Sequence, residues 1–310
     1  MADGVSEYLV IDPAFKRLFN GNMRLLKLWT GAAWAEGPVY FRDGDFLLFS
    51  DIPNNRIMRF TPDHTGLGGT TSVYRQPCGN TNGHTRDLQG RLVSCEHGGR
   101  RVSRTELDGT VTCLADSWNG KRLNSPNDVV VRSDGTIWFT DPSYGILSDL
   151  EGWQGEPEYG ACHVFCLDPS TGELRVAADD FVKPNGIAFS PDEKTLYIAD
   201  TGASHDPDGP RHIRAFDVSD KGKLKKSRVF ATCDAGLFDG FRLDTAGNVW
   251  SSAADGVHCF NPGGDLLGKI LVPEVVANVC FGGVKRNRLY ICGTTSLYAV
   301  LLPVAGAQVP

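Results

Sequence analysis

No apolar run in this 310-residue chain is long enough to cross a bilayer, and the N-terminus lacks the basic-then-apolar pattern of a secretion signal. The expected location is the cytoplasm, with the periplasm as the alternative if a leader has been removed. The nine cysteines contain no Cys-x-x-Cys pair and no Cys/His pairing of the zinc-finger kind. They are odd in number and scattered, and Cys166, Cys280 and Cys292 sit inside apolar runs, where a reduced thiol behaves as a small hydrophobe. That usage suggests a reducing compartment. No Gly-x-Ser-x-Gly elbow is present, which argues against serine-nucleophile hydrolysis. There is no basic stripe with interleaved aromatics, and a net charge of −6 argues against nucleic acid as a partner. Lys223, Lys225 and Lys226 form the only compact basic cluster, suited to an exposed edge strand or turn.

What the chain does contain is a repeat. Six short motifs start at Glu36-Gly37, Asn82-Gly83, Asn127-Asp128, Asn185-Gly186, Asp239-Gly240 and Asn278-Val279, always on a carboxylate or an amide. Eight residues after each start lies a polar turn at Gly44, Gly90, Gly135, Glu193, Gly247 or Arg286, followed by a β-branched or aromatic run. Four of those runs end on an acid, Asp51, Glu96, Asp141 or Asp200, whereas the fifth and sixth end near Ala253 and Gly293. A period of this length indicates radial or stacked units, none able to bury its faces alone. With 36 glycines and 17 prolines for tight turns and 41% hydrophobic residues for a large core, one domain is expected.

Each repeat divides into about four short strands. The second reads His84–Leu88, Arg91–Cys95, Arg101–Leu107 and Thr110–Leu114, and the fourth Ile187–Ser190, Thr195–Ala199, His212–Asp217 and Arg228–Thr232. The sixth offers only Val279–Gly282, Leu289–Cys292 and Leu297–Leu302. The apolar segment Arg24–Trp29 supplies a fourth strand, which would close a ring and protect its edges. The pattern predicts an all-β fold, a six-bladed β-propeller with four strands per blade. The expected organisation is an N-terminal extension over residues 1–23, the propeller over 24–303 and a tail over 304–310.

In an up-and-down blade the innermost strand starts on one face and the second strand returns to it. The motif starts and the strand-ending acids should therefore crowd one mouth of the central channel. Two long connections, Pro142–Ala161 and Thr201–Arg211, belong to the same face and are candidate lids or binding loops. The first carries Tyr144, Trp153 and Tyr159, which either face substrate or anchor the loop on the rim.

Asn, Asp and Gly are ordinary turn residues, but turn chemistry does not require one polar phase in every repeat, nor Glu36 in the first. Converging buried carboxylates need a cation or shared protons. Glu36 and Asp239 would supply charge, and Asn127 and Asn185 neutral amide oxygens. Such a set suits calcium, with magnesium, manganese or zinc as alternatives. No histidine is among the starts, which counts against a dedicated zinc site. Asn82 and Asn278 are expected to bond neighbours rather than ligand. His97, after Glu96, is a candidate proton carrier or an ordinary loop residue, and His84 carries the same ambiguity. For Asp141 and Asp200, turn capping competes with a pocket role.

Ala35-Glu36-Gly37-Pro38, Ser125-Pro126-Asn127-Asp128, Phe139-Thr140-Asp141-Pro142, Lys183-Pro184-Asn185-Gly186 and Phe238-Asp239-Gly240 together resemble the SMP-30/gluconolactonase/LRE family over about residues 30–303. Cys95-Glu96-His97-Gly98 is similar to its bacterial gluconolactonase branch. The resemblance implies a six-bladed propeller with a divalent cation in the channel, Glu36, Asn185 and Asp239 at ligand positions, and Asn127 binding metal or substrate. It also implies Asp239 as proton acceptor. Ser125 stands where animal members carry Arg, and Gly145 lies near the place of their pocket Glu. The expected activity is hydrolysis of a sugar lactone such as glucono-1,5-lactone, a small-molecule substrate, with Asp239 as base and Asp200 or Asp141 as alternatives. Glu96, His97 and Tyr144 join Asn127 as expected substrate contacts. Phosphotriester hydrolysis at the same cation and a non-enzymatic calcium-binding module are the competing readings.

Overall fold

A computed structural model describes residues 7–22 and 24–308. Residues 1–6 of the expected extension, Met23, and residues 309–310 of the tail lie outside the described residues. Among the described residues, six antiparallel sheets of four or five strands follow one another along the chain, with a separate two-stranded hairpin of Ser117–Trp118 and Lys121–Arg122 between the second and third; each inner strand lies beside the next, and that of the last sheet contacts that of the first. The result is a six-bladed β-propeller, four strands to a blade. Leu26–Thr30 pairs with Ser296–Leu301 as the outer strand of blade six, so the ring is closed by joining the chain's two ends. Among the described residues no helix is long and apolar enough to cross a membrane.

The sequence of each strand matches its radial position. Second strands are covered on both sides by neighbouring blades, so the strand Phe46–Asp51 opens with four consecutive apolar residues, of which Leu47, Leu48 and Phe49 are fully buried. Outer strands face solvent, and Gly69–Arg75 is correspondingly polar and exposed. Large aromatics wedge between blades: Tyr40 of blade one stacks on Tyr290 of blade six at 5.6 Å, and Trp138 of blade three meets Phe189 of blade four at 5.5 Å. Fully burying one such side chain contributes about 1.5–3 kcal/mol.

Part of the expected extension is built into the propeller. Tyr8–Val10 adds a fifth, outermost strand to blade five by pairing with Leu266–Leu271. Behind it, Phe15 is fully buried near Trp250. That edge is thereby covered. At the other end, the tail runs under the face opposite the motif starts. Ala307 N–H donates to the Leu243 carbonyl, and Gln308 Nε2 donates to Thr85 Oγ1 at 2.8 Å.

Inner strands differ from expectation in a way that matters for the site. In blades two, four and six they start earlier, and in these and in blade one the pairing register shifts, at Thr81/His84, Pro184/Ile187, Val276/Asn278 and Glu36/Val39. A bulge re-aims the side chain it carries. The motif residues sit at these irregularities, which a strict alternation of strand residues does not anticipate.

Candidate functional site

The six starts form a backbone ring around the channel. Gly83 N–H donates to Asn127 O at 2.7 Å, Gly186 N–H to Asp239 O at 3.0 Å, and Gly240 N–H to Ala277 O at 2.8 Å. The blades approach so closely that a Cβ on Gly37 would lie 1.9 Å from Asn82 O, and one on Gly186 2.2 Å from Asp239 O. This contact is why glycine follows the polar residue in most repeats. Blade three has Asp128 there instead. Its carboxylate accepts from Ile187 N–H and pairs with Arg242 of blade five at 3.1 and 3.3 Å, both side chains buried.

Glu36 and Asp239 are the two acids among the starts. Glu36 is buried and accepts hydrogen bonds from Gly37 N–H and, at 3.0 Å, from Asn278 Nδ2. Burial, then the charge of Asp239, holds its carboxyl well above the usual carboxylate range. Asp239 is pushed up to about 7 by burial, then by the charges of Glu151 and Asp128, against a hydrogen bond from Asn185. Asp128 is matched by Arg242, but among the described residues Glu36 and Asp239 face no cationic side chain in their hydrogen bonds or ion pairs. Protonated, the pair is neutral; ionised, it leaves two uncompensated negative charges at one end of the channel.

Amide groups stand beside them. Asn185 Nδ2 lies 3.3 Å from Thr201 Oγ1, whose hydroxyl is also in contact with the Lys183 carbonyl and Tyr144 Oη. Asn127 Nδ2 and Asn82 Nδ2 lie 3.4 and 3.3 Å from His97 Nε2. Each amide nitrogen thus faces the protein, which leaves the oxygens of Asn127 and Asn185 available. Among the described residues no three His, Cys, Asp or Glu side chains cluster as a metal site. A cation here would draw on two carboxylates and on neutral oxygens, a donor set of the kind calcium takes.

Both long loops stand at this mouth. The first contains a short helix, Tyr144–Leu147, and Tyr144 Oη lies 2.7 Å from Thr201 Oγ1 and 2.8 Å from Ser204 Oγ, which ties the two loops together. Trp153 is exposed on the rim. Tyr159 anchors its loop by donating to Asp141. Glu151, from the same loop, places a half-buried carboxylate 3.5 Å from His97 Nδ1.

The family model described as "SMP-30/Gluconolactonase/LRE-like region" matches residues 34–295. The chain belongs to the SMP-30/gluconolactonase/LRE family. It is 32% identical to a gluconolactonase of Zymomonas mobilis over 86% of this chain and 78% of that protein. It is 35% identical to a 6-deoxy-6-sulfogluconolactonase of Pseudomonas putida, over 83% and 81% of the two chains. A solved gluconolactonase structure from Xanthomonas campestris superposes with a TM-score of 0.88 at 38% identity, covering 96% of this chain and 94% of that one.

In this family member three of the four strand-ending acids share one arrangement. Asp141 accepts from Asn124 and Ser125 N–H, each at 2.8 Å, and Asp200 from Val182 and Lys183 N–H at 3.0 and 2.9 Å. Asp51 holds Ala33 and Trp34 N–H in the same way. These acids clamp the segment leading into their own blade's inner strand. Glu96 is engaged by Arg101 Nε at 2.7 Å. The structure therefore brings Glu36, Asp239, Asn127, Asn185, His97 and Tyr144 together around the mouth, and gives the carboxylates of Asp141, Asp200 and Glu96 partners of their own.

His84 lies below the ring with Nε2 2.9 Å from Ser50 Oγ and Nδ1 2.8 Å from Ser94 Oγ. Burial lowers its pKa to about 3. In the unfolded chain a histidine titrates near 6.5, so between about 3 and 6.5 the unfolded state binds more protons and stability is lost as pH falls. Chemical denaturation between pH 4 and 6 is expected to lose about 1.4 kcal/mol per pH unit from this residue. His84→Gln should remove that part of the slope; an unchanged slope would mean that the folded protein protonates His84 freely.

Three residues of the site escaped the sequence. Arg242 is legible in hindsight as a charged residue between Phe241 and Leu243 on an inner strand. Asp128 was visible only as part of a motif. Glu151 is one acid among several in a loop, and nothing in the pattern singles it out.

Proposed function

We propose that this protein hydrolyses a sugar lactone of the glucono-1,5-lactone type to the aldonic acid, with a divalent cation, calcium by preference, held by Glu36, Asn127, Asn185 and Asp239. The observation that carries this reading is the charge imbalance at the mouth. Glu36 and Asp128, both buried, and Asp239, partly buried, are three carboxylates served by one guanidinium, Arg242, which leaves a deficit that one divalent cation would balance. Once bound, that ion supplies a Lewis acid for the lactone carbonyl oxygen, where negative charge develops.

The chain's own residues do the rest. Asp239 accepts the proton of the water that attacks the carbonyl carbon, a role favoured by a carboxyl already raised to about 7. The ring C–O bond then breaks, and its oxygen takes up a proton to become a hydroxyl of the open-chain acid. Asn127 and Tyr144 contact the sugar, and the two loops exclude bulk water. His97, fully buried, stands behind Asn127. Asp141 and Asp200, with their oxygens taken by backbone amides, serve the fold.

The test is a lactone panel run on chelated protein and after adding back individual metals, with an organophosphate alongside. Chelation should abolish lactone turnover and calcium should restore it. A metal-replete protein that opens no lactone above the buffer rate would reject the proposal. Glu36→Gln should fold normally but bind calcium more weakly in calorimetric titration; unchanged affinity for both calcium and manganese would remove Glu36 from the site.

A further inference from the structure

His97 is fully buried, yet among the described residues its Nδ1 has no hydrogen-bond partner. Its Nε2 faces Nδ2 of Asn82 and of Asn127, and amide nitrogens only donate. Nε2 must then be the acceptor, which puts the proton of a neutral ring on Nδ1. That proton points to the Glu151 carboxylate at 3.5 Å, a separation that a small movement of the loop would close to a hydrogen bond.

The loop is built to sit there. Gly145 packs on the imidazole so tightly that a Cβ would lie 2.5 Å from His97 Cβ. Gly145 N–H donates to Ser125 Oγ at 2.9 Å, and its carbonyl accepts from Trp153 N–H at 3.1 Å. The chain therefore folds back over His97 and carries Glu151 to its Nδ1.

The opposite tautomer would have a different result. With the proton on Nε2, both amides would have to turn their oxygens to the ring and their Nδ2 groups into the channel. N–H groups would then face the place where Glu36 and Asp239 concentrate negative charge, and of the proposed ligands only Asn185, held by Thr201 instead of His97, would still offer a cation a neutral side-chain oxygen.

We infer that His97, clamped through Nδ1 by Glu151, is the positioning residue that turns the amide oxygens of Asn82 and Asn127 into the channel. Seating the blade-three loop and orienting the channel's neutral ligands are thus one event. The inference rests on the proposed cation site and adds to it a residue that touches neither cation nor substrate.

The test reads calcium affinity by calorimetry, independently of turnover, with thermal unfolding as a check on folding. His97→Leu removes the acceptor and should weaken calcium binding on the order of 10–100-fold, the usual cost of losing a partner behind a metal ligand. His97→Gln can offer its amide oxygen near the position of Nε2 and should restore most of the affinity. Glu151→Ala also removes a negative charge near the ion, but that through-space loss persists whatever residue occupies position 97. The positioning part should vanish when Glu151→Ala is made in His97→Gln, so the two substitutions are expected to be non-additive. Equal affinities for His97→Leu and His97→Gln, or an equal cost of Glu151→Ala in both backgrounds, would overturn the inference. If His97→Leu fails to fold, the Glu151→Ala comparison in the other two backgrounds decides alone. A wild-type protein that binds no calcium would instead remove the cation site, and this inference with it.

Discussion

Asp239→Asn is expected to go on binding a divalent cation while kcat falls roughly 10²-fold or more, the scale of a positioned base. The substitution keeps an oxygen ligand and the shape of the side chain, and Ser252 Oγ still accepts from the residue 239 N–H at 2.9 Å. What disappears is a basic oxygen whose proton affinity burial and the neighbouring acids have raised to about 7. A bound cation draws that affinity down again, so the size of the kcat loss measures how much basicity survives beside the ion. Cation affinity and kcat must come from one preparation, because loss of the ion would also abolish turnover. A variant that binds the ion and keeps near-normal kcat would reduce Asp239 to a ligand.

The second large effect concerns stability. Arg242→Met should destabilise the metal-free protein by about 3–5 kcal/mol, the usual cost of leaving one partner of a buried ion pair alone. Asp128 would then join Glu36 and the partly buried Asp239 as a third unmatched carboxylate in one cluster. Two controls separate charge from packing. Asp128→Asn made together with Arg242→Met removes the stranded charge and should recover a large part of the loss. Saturating calcium should also reduce it, because the ion binds the folded state and supplies positive charge where the guanidinium was. Denaturant titration of the chelated proteins measures all three. A loss below about 1 kcal/mol for Arg242→Met would place it among ordinary substitutions and end the charge-balance argument.

A repeat fixes the radius and phase of a residue but not the direction of its side chain. The starts at Glu36, Asn127, Asn185 and Asp239 were legible because a repeat puts equivalent residues at equivalent radii, so phase alone predicts convergence. The strand-ending acids shared that phase and were expected at the same mouth. Phase cannot tell which way a carboxylate turns. Asp141 and Asp200 turn to the backbone amides of the segment before their own inner strand, a local partner that competes with any pocket role.

The sequence by itself determined the six blades, the closure of the ring by its N-terminal strand, the single mouth and the polar groups gathered there. All of these follow from a period and from apolar runs, which are one-dimensional signals. Only the tertiary structure decided the inner-strand bulges, the Asp128–Arg242 pair across the channel and the arrival of Glu151 at His97. Those depend on backbone approaches between blades and on a loop folding back upon itself. Contacts between residues far apart in the chain leave no periodic trace, so they exist only once the chain has closed into its ring.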